Sequence, residues 1–222
     1  MTMTSPQPSH SAVRTVVGVV RIVAALALLV ALVFQIVEKV ANNDMVPQEY
    51  FSYFTIQSSM IAFVVLFTGG LMALRRPTDT VLYTTLRVSV LAYAVVTAVV
   101  YNVLLRNIPD PGFVSTPWPG EIMHVWIPIL ILLDWLLSPG RPALRWTALR
   151  IVVIYPLAWL AFTLLRGAVT AWYPYPFLEP ATGWLSVGAY IVGVAAFIVG
   201  VAALGIAWGH RGPRAARIVQ PV

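Results

Sequence analysis

The residues best equipped for chemistry in this chain are few and sit in otherwise apolar surroundings. In the stretch YFTIQSS, the i, i+3 and i+4 spacing of Thr55, Ser58 and Ser59 puts them on one face of a helix, while Gln57 points elsewhere. Ser89, Tyr93, Thr97 and Tyr101 recur every four residues, with Asn102 beside the last, and draw a slowly drifting polar stripe. IMHVWIP then supplies His124. A hydroxyl, an imidazole, an amide and a phenol are the parts of an acyl-transfer site: nucleophile, base and donors to an oxyanion. Each also has a plain structural reading. Serine and threonine in an apolar helix usually bond back to their own carbonyls, a polar stripe suits helix-to-helix hydrogen bonds, and a lone histidine near an interface is commonly structural.

Two neighbours of His124 bear on its role. Pro128 has no N–H to give to the His124 carbonyl, so that turn is left with an open acceptor. Asp134 lies about 15 Å further along at about 1.5 Å per residue, too far to orient the ring. It is expected to pair with Arg87, Arg141 or Arg145. The chain has no cysteine, and its histidines at 10, 124 and 210 do not cluster, so neither a thiolate nor a histidine metal site is expected. The chemistry outlined requires no metal and no cofactor.

Lipid is the medium in which these groups must be positioned. The 222 residues are 59% hydrophobic and 10% charged, with a mean hydropathy of +0.84, whereas a soluble domain carries about 25% charged residues. Apolar runs at 15–37, 54–74, 81–105, 122–137, 146–165 and 184–208 are long enough to cross a hydrocarbon core about 30 Å thick. Backbone groups in lipid must be satisfied within the segment, so each run is expected to be a helix. The first is longer than a secretory signal's core and no small-residue cleavage site follows it, so it reads as a retained span. The expected fold is an all-α membrane protein, a bundle of six transmembrane helices over 14–209, with polar or basic tails at 1–13 and 210–222.

Orientation follows from the arginines, because short cytoplasmic loops retain basic residues. One side holds Arg14, Arg21, Arg75, Arg76, Arg87, Arg141, Arg145, Arg150, Arg211, Arg214 and Arg217; the other holds only Lys39, Arg106 and Arg166. Eleven against three places both termini in the cytoplasm, in a plasma membrane. The net charge of +6 does not imply a nucleic-acid partner, since the basic residues are dispersed over short loops. With lysine only at position 39, the arginine bias suggests a GC-rich, bacterial source. In that orientation Thr55, Tyr101, Asn102 and His124 all lie in the outer third of the membrane.

Outside, the loops at 108–121 (IPDPGFVSTPWPGE) and 172–180 (WYPYPFLEP) are rich in proline and aromatics. They suit either a cover over a cavity or an aromatic belt at the interface. In the sixth run, Ala189 and Gly193, Ala196 and Gly200, and Gly205 and Gly209 are four apart, which favours close packing inside the bundle, with dimerisation as the alternative.

At these same residues the chain resembles the androgen-induced family of six-pass membrane hydrolases, which cleave fatty acid esters of hydroxy fatty acids with a threonine and a histidine. Tyr53-Phe54-Thr55 is similar to the segment bearing the family's nucleophilic threonine. Met123-His124, with Asp134 ten residues on, is similar to the segment bearing its histidine. Tyr175-Pro176-Phe177-Leu178-Glu179 matches a YPFLE run in the family's last outer loop and is the most specific of the three. Pro128 follows the histidine one position sooner than in animal members. The resemblance implies a lipid ester hydrolase with Thr55 as nucleophile and His124 as base. Gln57, Ser58, Ser59, Tyr93, Thr97, Tyr101, Asn102, Tyr175 and Glu179 are the candidates for binding substrate or its oxyanion. The expected partners are a fatty acyl ester and membrane lipids; the sequence leaves the oligomeric state open. The competing reading is a non-catalytic protein that binds or transports a lipid or small molecule through the same polar cavity.

Overall fold

The computed structural model describes residues 12–108 and 113–211. His10, Asp110, Arg214 and Arg217 lie outside the described residues, as does part of the 108–121 loop. Six helices are long and apolar enough to cross a membrane: Ala12–Ala41, Phe54–Arg75, Val81–Leu105, Pro117–Leu137, Trp146–Thr170 and Trp184–Arg211, here the first to sixth spans. The chain is a multi-pass membrane protein with no strand among the described residues.

The spans differ from the sequence expectation mainly at their ends. The fourth begins at Pro117, inside the stretch read as loop, because proline at the first helical position loses no hydrogen bond and already holds a helical φ. The fifth runs on to Thr170 and stops where Ala171 turns left-handed (φ 55°) and donates to the Gly167 carbonyl at 2.8 Å. It also starts irregularly, as a 3-10 turn at Trp146–Ala148 and a short helix Leu149–Val152, before the main helix Ile154–Thr170.

The third span is the hub, packed on the second, fourth and sixth, and it buries Tyr83, Val88, Leu91, Tyr93 and Val96. The first span lies along the second, and the backbones approach at Gly18 and Gly70: a Cβ built on Gly70 would stand 2.5 Å from Ile22 and 2.8 Å from the Gly18 carbonyl. The sixth span uses its small residues differently from the expectation. Gly205 packs on Val88, Leu91 and Trp135, but a Cβ on Gly193 or Gly200 would meet nothing within 4 Å.

At the end of the bundle bearing both described termini, charges are buried as a connected chain. Asp79 binds Arg14 at 2.8 Å and Arg87 at 2.7 Å; Asp134 binds Arg87 at 2.7 Å and Arg21 at 2.9 Å. Asp134 therefore takes Arg87, as expected, but its second partner is Arg21 of the first span rather than Arg141 or Arg145. Arg141 instead donates to the Trp135 carbonyl, and its guanidinium lies 5.0 Å from the Trp135 ring. Isolated charges are costly in such surroundings, and pairing through good hydrogen bonds makes them tolerable.

Candidate active site

The opposite end of the bundle holds the candidate residues. The second span begins at Phe54 after an extended Tyr53, and no side chain of its own caps it. The first N–H groups of a helix have no partner inside it. Here the Tyr175 hydroxyl, reaching across from the last inter-span loop, accepts from the Thr55 N–H at 3.4 Å. The Tyr175 ring is buried among Tyr53, Trp159 and Phe177, with centroids 5.7, 5.9 and 5.2 Å away. Burial pushes this phenol up to about 12, against hydrogen bonds with Thr55 that act the other way. Tyr175 therefore remains a neutral hydroxyl at neutral pH, able to donate as well as accept.

The third and fourth spans meet here through two π-turns, Tyr101–Leu105 and Ile122–Trp126, a local widening common at functional sites. The Tyr101 and His124 rings stack across them, centroids 3.7 Å apart and planes 15° apart. His124 Nδ1 lies 2.8 Å from the Gly120 carbonyl. A carbonyl only accepts, so Nδ1 carries the proton and Nε2 is the nitrogen with the free lone pair. Asn102 Nδ2 donates to the Ala98 carbonyl at 2.8 Å and to the His124 carbonyl at 3.3 Å. The latter is the acceptor that Pro128 leaves open. Tyr93 does the same for the fifth span, donating at 2.6 Å to the Val152 carbonyl, four residues before Pro156.

Between the second, third, fifth and sixth spans lies a largely apolar cavity of about 760 Å³, counted out to its open mouth. Thr55, Thr97, Tyr101 and Tyr175 line it, together with Trp159 and Phe177. The Thr97 hydroxyl is buried and has no hydrogen-bond partner among the described residues. Phe177 and Leu178 also reach the wall, so the WYPYPFLEP loop folds over this space.

The other candidates are elsewhere. Gln57 donates to the Phe51 carbonyl at 2.8 Å and Ser58 to the Thr55 carbonyl at 3.2 Å, the back-bonding expected of a helical serine. Ser59, Tyr93, Asn102 and His124 are not on the cavity wall, and Glu179 is exposed, its carbonyl accepting from Thr182. Asn102 follows Tyr101 directly, about 100° further round the helix, and so faces the fourth span and the His124 carbonyl rather than the cavity. Pro156, Trp159 and Tyr190 also shape the cavity, and spacing did not single them out. Trp159 had one signal, an indole N–H that must find an acceptor when buried; it donates to the Ser52 carbonyl at 2.9 Å.

Comparisons of the chain with protein-family models, with characterised proteins and with solved structures find no match.

Proposed function

We propose that this chain is an intramembrane lipid ester hydrolase, with Thr55 as nucleophile and His124 as general base, in the plasma membrane of a bacterium. Both termini lie in the cytoplasm, so the cavity opens toward the outer leaflet. Fatty acid esters of hydroxy fatty acids, or related acyl esters, are the substrate class.

The observation that carries this reading is the position of Thr55: a hydroxyl on the wall of an apolar cavity, at a helix N-terminus, with the Tyr175 hydroxyl beside its own amide. The apolar wall takes the acyl chain. The Thr55 oxygen attacks the ester carbonyl carbon, its proton passes to Nε2 of His124, and the imidazolium returns it to the leaving alkoxide. Water then repeats the sequence to release the acid and regenerate Thr55. Tyr175 and the first amides of the second span donate to the oxyanion. His124 lies against Tyr101 rather than on the wall, so in this scheme the Tyr101 ring slides along the imidazole when substrate enters.

That placement of His124 also favours the second reading, a non-catalytic acyl-lipid binding protein. Hydrolysis of an acyl-ester panel and labelling by a fluorophosphonate probe separate the two. Thr55→Ala, His124→Ala and the double variant are expected to fall to a common residual rate, since residues acting as a unit are not additive. Loss of a general base lowers the rate by about 10²- to 10⁴-fold. Thr55→Ser is expected to keep some turnover and labelling. A protein that binds a fluorescent fatty acid but neither hydrolyses an ester nor takes the probe is a binder.

A further inference from the structure

The cavity has a neighbour on its lipid side. An apolar groove runs along the seam between the third and sixth spans, with Val99, Val103 and Leu104 on one bank and Ala189, Gly193 and Phe197 on the other. Val100, Tyr190 and Val194 line both the groove and the cavity. Val103 is 73% exposed and Tyr190 39%, on helices whose surroundings are hydrocarbon. The space above Gly193 is open: a Cβ there would touch nothing.

Two further observations indicate what fills it. The stretch from Ser186, the hydroxyl at the head of the groove, to Phe197 rises about 16 Å at about 1.5 Å per residue, close to the ~15 Å hydrocarbon depth of one leaflet. Behind the shared wall, Thr97 lines the cavity, and its buried hydroxyl has no hydrogen-bond partner among the described residues, a polar group that a χ1 turn toward the cavity would bring to a ligand oxygen.

We propose that the groove is a lateral portal, occupied by one acyl chain of a bilayer lipid, which passes Tyr190 and brings its ester to Thr97 and Thr55. Tyr190 is the gatepost, and its ring, 5.3 Å from that of Phe177, ties the portal to the loop over the cavity. An acyl chain accounts for the continuity of the groove with the inner chamber through Val100, Tyr190 and Val194; a helix from a second copy would cover the groove without reaching that chamber. The inference rests on the lipid reading of the cavity but not on the nucleophilicity of Thr55.

The test places the protein in phosphatidylcholine nanodiscs containing a phosphatidylcholine with a diazirine on one acyl chain, followed by irradiation and peptide mapping. Labels are expected to concentrate on the third and sixth spans around Val103 and Gly193. Gly193→Phe, which plugs the groove where no atom stands in the way, is expected to cut that labelling about tenfold, equivalent to ~1.4 kcal/mol. Gly200→Phe, equally unobstructed but outside the groove, is expected to leave it unchanged. His124→Ala, at a residue that lines neither groove nor cavity, is expected to label like the native protein even when hydrolysis is lost, which keeps the portal distinct from the catalytic scheme. Equal labelling of Gly193→Phe and the native protein, or labels spread evenly over all lipid-facing helices, would overturn the portal. A disulfide-linked dimer formed by Gly193→Cys in the membrane would overturn it in favour of a second copy.

Discussion

Thr55 and Tyr175 show how a single contact fixes the geometry of this end of the molecule. The last loop is stiffened by prolines and held down by the buried side chains of Tyr175 and Leu178, and the Tyr175 hydroxyl meets the Thr55 N–H at 3.4 Å. Ring and hydroxyl can be separated by mutation. Tyr175→Phe keeps the packing against Tyr53, Trp159 and Phe177 and removes only the polar contact, so it is expected to destabilise by about 1 kcal/mol and, under the proposed function, to lower ester turnover. Tyr175→Ala removes the packing too and is expected to cost about 3–5 kcal/mol, as for other buried aromatics. Thermal unfolding in detergent measures both. Equal shifts for the two variants would show that the hydroxyl, not the ring, holds the loop.

At the scale of the helices, two prolines break hydrogen bonds within their own spans, and the third span repairs both. Pro128 leaves the His124 carbonyl to Asn102, and Pro156 leaves the Val152 carbonyl to Tyr93. The orphan carbonyl at His124 was legible in the sequence, since proline four residues on always creates one. Its donor was not, because which side chain arrives depends on how two helices pack. The repair predicts an interaction between mutations. Asn102→Ala is expected to cost about 1 kcal/mol in the native protein. In a Pro128→Ala background, where a backbone N–H becomes available again, the cost should nearly vanish. Simple additivity in this double-mutant cycle would mean that the Asn102 contact contributes nothing to the fourth span.

For the molecule as a whole, the charges decide both packing and direction. Arg14, Arg21 and Arg87 were counted as loop cations, yet the structure buries them in ion pairs with Asp79 and Asp134 inside the bundle. Without them the arginine rule rests on Arg75, Arg76, Arg141, Arg145, Arg150, Arg211, Arg214 and Arg217 against Lys39, Arg106 and Arg166, eight against three. The expected direction is the same. Because the native chain has no cysteine, single-cysteine variants report orientation cleanly. Val114→Cys, 84% exposed at one end, is expected to react with an impermeant maleimide in intact cells, and Thr78→Cys, exposed at the other, only after lysis. The reverse pattern would turn the molecule over and open the cavity toward the cytoplasm.

The six spans, their helical state and the pairing of Asp134 with an arginine could be had from the sequence alone, because each follows from a local requirement. Backbone groups in hydrocarbon must bond within their own segment, and a carboxylate at that depth needs a cation. Which polar residues share a wall could not, because that depends on the rotation of each helix and on how neighbouring spans meet. The rotation of the third span turns Asn102 to the fourth and away from the cavity; the packing of the third span on the fifth commits Tyr93 to a carbonyl; and the last loop brings Tyr175 across 120 residues to Thr55. Position along a helix is a property of the sequence, whereas the company a side chain keeps is settled only when the helices are packed.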